Sequence, residues 1–578
     1  MRSVSRRMRD TEYAISGPCF AMIIPDSLSS IICDHRMESL VQCIQACYPV
    51  TIDHLRRTPP ELRMECLSRI ESVQFCDFTL DCSWYLKQFT KCASYQLHGL
   101  REDALHAFLA TLSITADAWK EDGTMQGAIE SISIVGSAFT KQIVDDLIVC
   151  LHAAPSLRSL ELVPIEGVGS ARLTDAAFER LCLGLEDAEC RMVETLRVPH
   201  NAVHGRGLEA LAECCKRNGL LKCYDLDVSF NGVTRRGTRA LADVLLLPQT
   251  VLLRALRLSE CDLRGAVGER VITALCGESQ TVVSGESQTV VSGESQTVMR
   301  GESLTMLHGE GMTVGGENAT VVRGEGRTML RTLDLQSTRL VPRQLQRLCR
   351  ALEQGAFPAL QELTLSHLPI TGATAVALAA AIRSGALDTL VTLLLRHCRL
   401  HSTLPVLCRA VRDRPMQLLE TLDVAENRLD AEAAQALAEV LTRDSLPSLR
   451  TVDCSSNPMG TDGLERLVRF SQCEAATALR LNACGIDDAG VTMLAKSIRE
   501  EGWWPNLRDL QLKENPIKGL SVLYLQRLFE LPNQLQTIEL SGLTRRRSSF
   551  VKMTPSPLEP MHYTPQEDVA TEPLSPIA

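Results

Sequence analysis

The sequence predicts an α/β solenoid: a stack of short parallel strands, each followed by a helix, wound around one continuous core. Three observations carry this expectation. A fixed apolar spacing returns at intervals of about thirty residues. Each copy is followed by a stretch with helical amphipathic periodicity. Apolar residues make up 45% of the 578-residue chain while aromatics make up only 4%, which suits a core of stacked leucine and alanine rather than one of large rings.

The spacing is L-x-x-L-x-L-x-x-N/C-x-L, and its clearest copy is Leu419, Leu422, Val424, Asn427, Leu429. Thirteen copies begin at Ile129, Leu157, Val193, Cys223, Leu253, Leu330, Leu360, Leu390, Leu419, Leu449, Ala476, Leu507 and Leu535, most successive starts lying 27 to 31 residues apart. Period-two alternation sends the leucine positions of each short strand to one side, where only the neighbouring units can cover them. A single unit therefore cannot fold alone. The ninth position is Asn201, Asn231, Asn427, Asn457 or Asn515 in some copies and Cys261, Cys398 or Cys484 in others. A small polar or thiol side chain there can bond the backbone of the turn leaving the strand, so stacked copies should form a ladder.

The helical stretch is best seen from Asp430 to Leu441, where Asp430 is an expected N-cap and Ala433, Leu437, Val440 and Leu441 share one face. Thr371 and Asp487 open equivalent stretches. Helices are wider than strands, roughly 10 Å against 4.7–4.9 Å, so stacking such units bends the array into a horseshoe with parallel strands concave and helices convex. From Ile129 to Leu543 the pattern resembles the ribonuclease-inhibitor type of leucine-rich repeat, and this resemblance implies a protein-binding concave face.

Five segments follow. Residues 1–125 do not fit the repeat; helical patterns at Met37 to Ala46, Pro60 to Ile70 and Arg101 to Leu112 predict a helical N-terminal cap. Residues 126–276 hold the first five repeats and 329–543 the last eight. Between them, at 277–328, lie octapeptides that read GESQTVVS at Gly277 and Gly285, with decaying copies from Gly293 onward. Their Gly, Glu, Ser and Gln content predicts a mobile loop leaving one rim without splitting the core, while the Thr-Val-Val triplets make short β-hairpins the alternative. Residues 544–578 form a proline-rich tail expected to stay unfolded, with Ser548, Ser549, Thr554, Ser556, Thr564 and Ser575 as candidate phosphorylation sites.

Charge and motifs narrow the function. The net charge of −10 repels a phosphate backbone, and the scarcity of aromatics removes stacking platforms for single strands, so nucleic acid is not an expected partner. No run approaches the 18 apolar residues of a membrane span. The basic start at Met1 to Arg9 gives way at once to Asp10 and Glu12, so a secretory leader is not expected. The 22 cysteines are scattered without zinc-type pairs, which predicts buried reduced thiols and a cytoplasmic location. There is no glycine-rich phosphate loop, no metal-ligand cluster and no nucleophile with an adjacent base, so neither a catalytic role, a cofactor nor a small-molecule substrate is expected.

The remaining x positions of the repeats spell out the concave face: Arg197, His200, Asp227, Phe230, Arg257, Glu260, Asp334, His367, Arg396, His397, Asp423, Glu426, Asp453, Arg480, Lys513 and Glu514. Mixed charge of this kind suits a protein partner with complementary patches. Against that stands a plainer reading, in which Asp227, Asp334, Asp423 and Asp453 follow the common L-D-L phrasing as solvated residues, and His200, His367 and His397 are ordinary surface groups.

Two resemblances bear on the N-terminal region. The run Pro59-Pro60-Glu61-Leu62, Cys66-Leu67, Ile70, Leu80, Cys82 and Trp84 resembles an F-box, the short helical module that docks on the Skp adaptor of ubiquitin ligases. A broader likeness joins Arg6-Arg7-Met8-Arg9, Leu40, Cys43-Ile44-Gln45, Pro60 to Ile70, and Tyr95 to Phe108 with its Leu100-Arg101-Glu102 core to the repeats that follow. That order resembles the family of the leucine-rich subunit 5 of the nexin–dynein regulatory complex, the t-complex-associated testis-expressed proteins. It implies a structural subunit of the flagellar axoneme, within the cytoskeleton, whose partners are other subunits of that complex. Ran GTPase-activating proteins share the repeat type but carry a long acidic tail, whereas this tail is basic and then proline-rich.

Overall fold

A computed structural model of the chain describes residues 92–121, 129–276 and 329–546 apart from short breaks, together with 50–51, 72–76, residue 86 and three strands between 296 and 323. Its backbone is one 17-stranded sheet in which neighbouring strands run parallel until the last, Leu543–Arg546, which turns back antiparallel on Thr537–Leu540. Helices alternate with the strands. The sheet is unclosed, and the fold is an α/β leucine-rich-repeat solenoid.

Register follows the sequence spacing. The middle leucine of each short strand lies opposite the same position of the next: Leu196, Leu226 and Leu256, then Leu333, Leu363, Leu393, Leu422, Val452, Leu479, Leu510 and Ile538. All of these are buried. In the repeat from Leu419 the buried set continues through Val424, Leu429, Ala433, Leu437 and Leu441, so strand and helix share one core. At about 1.5–3 kcal/mol for each large aliphatic side chain removed from water, stacking on neighbours is what makes a unit stable.

Helix starts follow the caps only in part. Asp430 accepts from the Ala433 amide at 2.9 Å and Asp487 from the Gly490 amide at 3.0 Å. Thr371 makes no such bond. Thr140 and Thr174 cap two earlier helices, Lys141–Ala153 and Asp175–Asp187.

The ninth-position ladder is present. Asn427 accepts from the amides of Cys398 and Leu400 and donates to the carbonyls of Leu395, Val424 and Ala425 at 2.7–3.2 Å. Asn201, Asn231, Asn457 and Asn515 likewise join neighbouring repeats. Cysteine copies donate their thiol to the preceding repeat, as Cys398 does to Leu365 O at 3.1 Å and Cys484 to Cys454 O at 3.3 Å. Burial pushes the Cys398 and Cys408 thiols up to about 12. Of the sixteen described cysteines, Cys76 is exposed and the rest are buried.

Two features differ from the sequence expectation. The helical cap assigned to 1–125 contains strands of the main sheet: Val50–Thr51 pairs with Ser72–Phe75, which pairs with Ser94–His98, which pairs with Ser131–Ser137. The strand-and-helix grammar therefore begins well before Ile129, and the helix Glu102–Glu121, foreseen from Arg101, is one of its helices. Here Val73, Phe75, Tyr95 and Leu97 take the inward positions, so leucine is mostly replaced and the spacing is uneven. The patterns at Met37 to Ala46 and Pro60 to Ile70 lie outside the described residues.

The inserted segment leaves the register intact, since Ala255–Arg257 pairs directly with Thr332–Asp334. Within it, Gln296–Arg300, Met312–Thr313 and Ala319–Arg323 pair antiparallel as a separate three-stranded sheet, the hairpin alternative rather than a featureless loop over those stretches. The tail beyond 546 lies outside the described residues.

Candidate functional site

The open side of the sheet is built from residues flanking each buried leucine, and from the turn that follows. The strand itself is short, as in Thr195–Arg197 or Thr421–Asp423. His200, Phe230, Glu260, His367, His397, Glu426 and Glu514 therefore sit in the turns leaving the strands, on a lip, where each takes a left-handed backbone with φ of 55–61°. Their amides continue the sheet: His200 donates to Ser229 O, His367 to Arg396 O and Glu426 to Ser455 O.

The L-D-L aspartates have a structural task that periodicity did not disclose. One carboxylate oxygen of Asp227, Asp334, Asp423 and Asp453 accepts the amide two residues on, from Ser229, Gln336, Ala425 and Ser455, at 2.8–3.0 Å. Each bond fixes the start of the turn. The other oxygen of Asp334 accepts from Ser259 Oγ at 2.7 Å. Asp227 and Asp453 are 9% and 7% exposed, so they are buried rather than solvated and add little contact area. Burial raises the carboxyls of Asp227 and Asp423 above the usual range.

The cationic positions are tied sideways. Asp225 accepts from Arg197 at 2.6 Å on one side and from Arg257 at 2.7 Å on the other, with Glu161 3.8 Å from Arg197. Arg396 holds Glu426 through two bonds of 2.6 and 2.9 Å, and His397 approaches the other oxygen at 3.2 Å. The Arg396 hydrogen bonds keep the Glu426 carboxyl below its ordinary value. Arg480 lies 3.7 Å from Asp453, and Lys513 pairs with Glu539 at 2.7 Å. Rings stack along the lip: His200 on Phe230 at 4.2 Å and 6°, and His367 on His397 at 5.0 Å and 22°.

Sequence reasoning missed the row one step earlier in each strand. Asp225 belongs to it, and just before that row come Glu130, Arg158 and Glu194, Tyr224 under the Arg254 guanidinium at 4.8 Å, and Glu420 with Arg450. The signal was available, since charged residues of opposite sign recur there one repeat apart. Among the described residues no group of three or more His, Cys, Asp or Glu side chains could hold a metal ion, and no helix is long and apolar enough to cross a membrane. The six candidate phosphorylation positions, and Pro59 to Ile70, Leu80, Cys82 and Trp84 of the F-box resemblance, lie outside the described residues.

A family model described as a Leucine Rich repeat matches residues 416–438, the repeat whose spacing is cleanest. Among solved structures, the Rad7 and Elc1 complex in yeast contains a chain similar to this one at 11% identity, with 94% of this chain and 90% of that chain covered and a TM-score of 0.36. The repeat spacing, the parallel ladder and the matched repeat together define a leucine-rich-repeat protein.

Proposed function

We propose that this chain is a non-catalytic scaffold that binds other proteins on the open face of its sheet, as a structural subunit of the axonemal nexin–dynein regulatory complex. The observation that supports the scaffold reading is the unclosed sheet, whose open face and lip are pinned by ion pairs, ring stacks and turn-closing aspartates. A surface held rigid before binding loses little conformational freedom on association. The axonemal assignment rests on the family resemblance that runs through the N-terminal region and the repeats. In that assembly the curved array would hold partners at fixed separation.

The F-box alternative is less well supported. Ser72–Phe75, inside the run that carries that resemblance, is a strand of the main sheet with Val73 and Phe75 fully buried, where a helical module is required. A pull-down with the full chain should recover no Skp-type adaptor.

The test of the axonemal reading uses a tagged full-length copy in flagellated cells. After detergent extraction the protein should stay with the axoneme and be released together with other regulatory-complex subunits. Complete loss to the soluble fraction would overturn the assignment.

A further inference from the structure

Five of the turns leaving the sheet contain a second left-handed position, one residue after the ladder side chain. In two repeats glycine stands there, Gly232 at φ 59° and Gly485 at φ 74°, the residue that adopts this backbone without a steric penalty. Pro369, Pro458 and Pro516 stand at the equivalent place in three other repeats, where the ring holds φ at about −65° and the turn is not left-handed there. In the repeats that begin at Leu330, Leu390 and Leu419 it is Arg339, Arg399 and Arg428, at φ 56°, 61° and 57°. A β-carbon is disfavoured at such angles, and non-glycine residues held there cluster at sites of function.

All three arginines are exposed. Arg339 reaches only a 3.9 Å approach to Asp262. Arg399 and Arg428 have no ion-pair partner among the described residues, whereas the arginines of the sheet itself are tied to carboxylates. At one strand spacing per repeat the three guanidinium-bearing turns span roughly 15 Å. Inside them runs the His367–His397 stack. A chain of net charge −10 thus presents a cationic lip along one stretch of its open face.

We propose that this lip is the docking site for an acidic segment of a partner protein, with Arg399 and Arg428 each taking a carboxylate in a bidentate pair and Arg339 taking a third. Planar guanidinium groups match carboxylates in that geometry. Glu426 lies 3.2 Å from His397 and Asp430 3.8 Å from His401, so acidic groups share this stretch with the arginines; a continuous phosphate chain meets repulsion there, while a peptide can space its carboxylates to the guanidinium groups. The proposal rests on the open face being a protein-binding surface.

The test is fluorescence anisotropy with the full chain and a labelled peptide of glutamates spaced by glycine and serine, beside a labelled single-stranded oligothymidine. The wild type should bind the peptide more tightly than the oligonucleotide, with affinity falling as salt rises. Arg399→Gly together with Arg428→Gly should weaken binding about tenfold or more while leaving the melting temperature equal or higher, because glycine relieves the left-handed backbone. Arg399→Glu with Arg428→Glu should abolish binding, and Arg443→Ala, in the turn that joins the helix Ala431–Ala438 to the next strand, should not change it. No binding by the wild type, undiminished binding by either double variant, or oligonucleotide binding as tight as the peptide would overturn the proposal. If the double glycine variant binds no less peptide yet still stays with extracted axonemes, the lip is wrong and the scaffold reading stands; if the wild type itself washes out, it is the axonemal reading that fails.

Discussion

The first strands of the sheet and those in its middle leave the sheet in different ways. Ser94–His98, Ser131–Ser137 and Ser159–Pro164 are five to seven residues long; the first turns on Gly99 at φ 64°, and the second shifts register at Gly136, φ 71°, before it ends. Their core holds Phe75, Tyr95 and Phe108 with the rings edge to face at 5.0 and 6.0 Å. From Thr392 to Asp453 the strands are three residues long, and non-glycine residues turn under an asparagine or cysteine rung, with Asp423 and Asp453 closing the start in two of the three. The early units thus rely on large apolar groups and permissive backbone. The later ones rely on a buried polar ladder that holds residues such as His397 and Glu426 in an otherwise disfavoured conformation.

This contrast can be broken most forcefully in the early units. Phe108→Ala should cost about 3–5 kcal/mol and loosen residues before 129 selectively, so limited proteolysis should clip there while the later array stays intact. Equal cleavage throughout would mean the two regions melt as one. In the ladder, Asn427→Ala strands the amides of Cys398 and Leu400 and the carbonyl of Leu395, and should cost about 2–4 kcal/mol by denaturant unfolding. A loss no larger than that of an ordinary surface change would deny the ladder its role.

Gly99→Ala should cost about 1 kcal/mol, since the left-handed backbone is the whole penalty; nothing lies within 4 Å of the added carbon. The smallest effect is expected at Asp227. Its folded carboxyl lies above its unfolded value, so ionisation opposes folding as pH rises through that interval. Asp227→Asn keeps an acceptor for the Ser229 amide, and should raise stability at neutral pH by a few tenths to about 1 kcal/mol. The gain over wild type should vanish below the unfolded value of about 3.9, where both side chains are neutral. A gain that persists in acid would show that charge is not its cause.

What was legible in the sequence follows the same division. Where leucine and asparagine recur at thirty-residue spacing, period alone located the inward side chains, the rungs and the caps Asp430 and Asp487, because few residue types satisfy those positions. Before Ile129 the inward positions are filled by Val73, Phe75, Tyr95 and Leu97, any apolar group of suitable size serves, and the uneven spacing hides the strands behind a helical pattern. On the open face the sequence identified which residues emerge but not how they pair. Asp225 bridging Arg197 and Arg257, and Asp227 turning back onto its own chain, depend on side-chain geometry across repeats, which linear spacing does not encode.

The direct pairing of Leu256 with Leu333 across the octapeptides also bears on how the gene can change. Because the strands on either side of the junction pair directly, extra octads add length without shifting the register of the sheet, and loop closure grows only slowly with length, by about 0.6 kcal/mol for each doubling. Slippage during replication could then add or delete copies with almost no thermodynamic selection against either. Natural variants of this protein should differ in octad number while melting at nearly the same temperature.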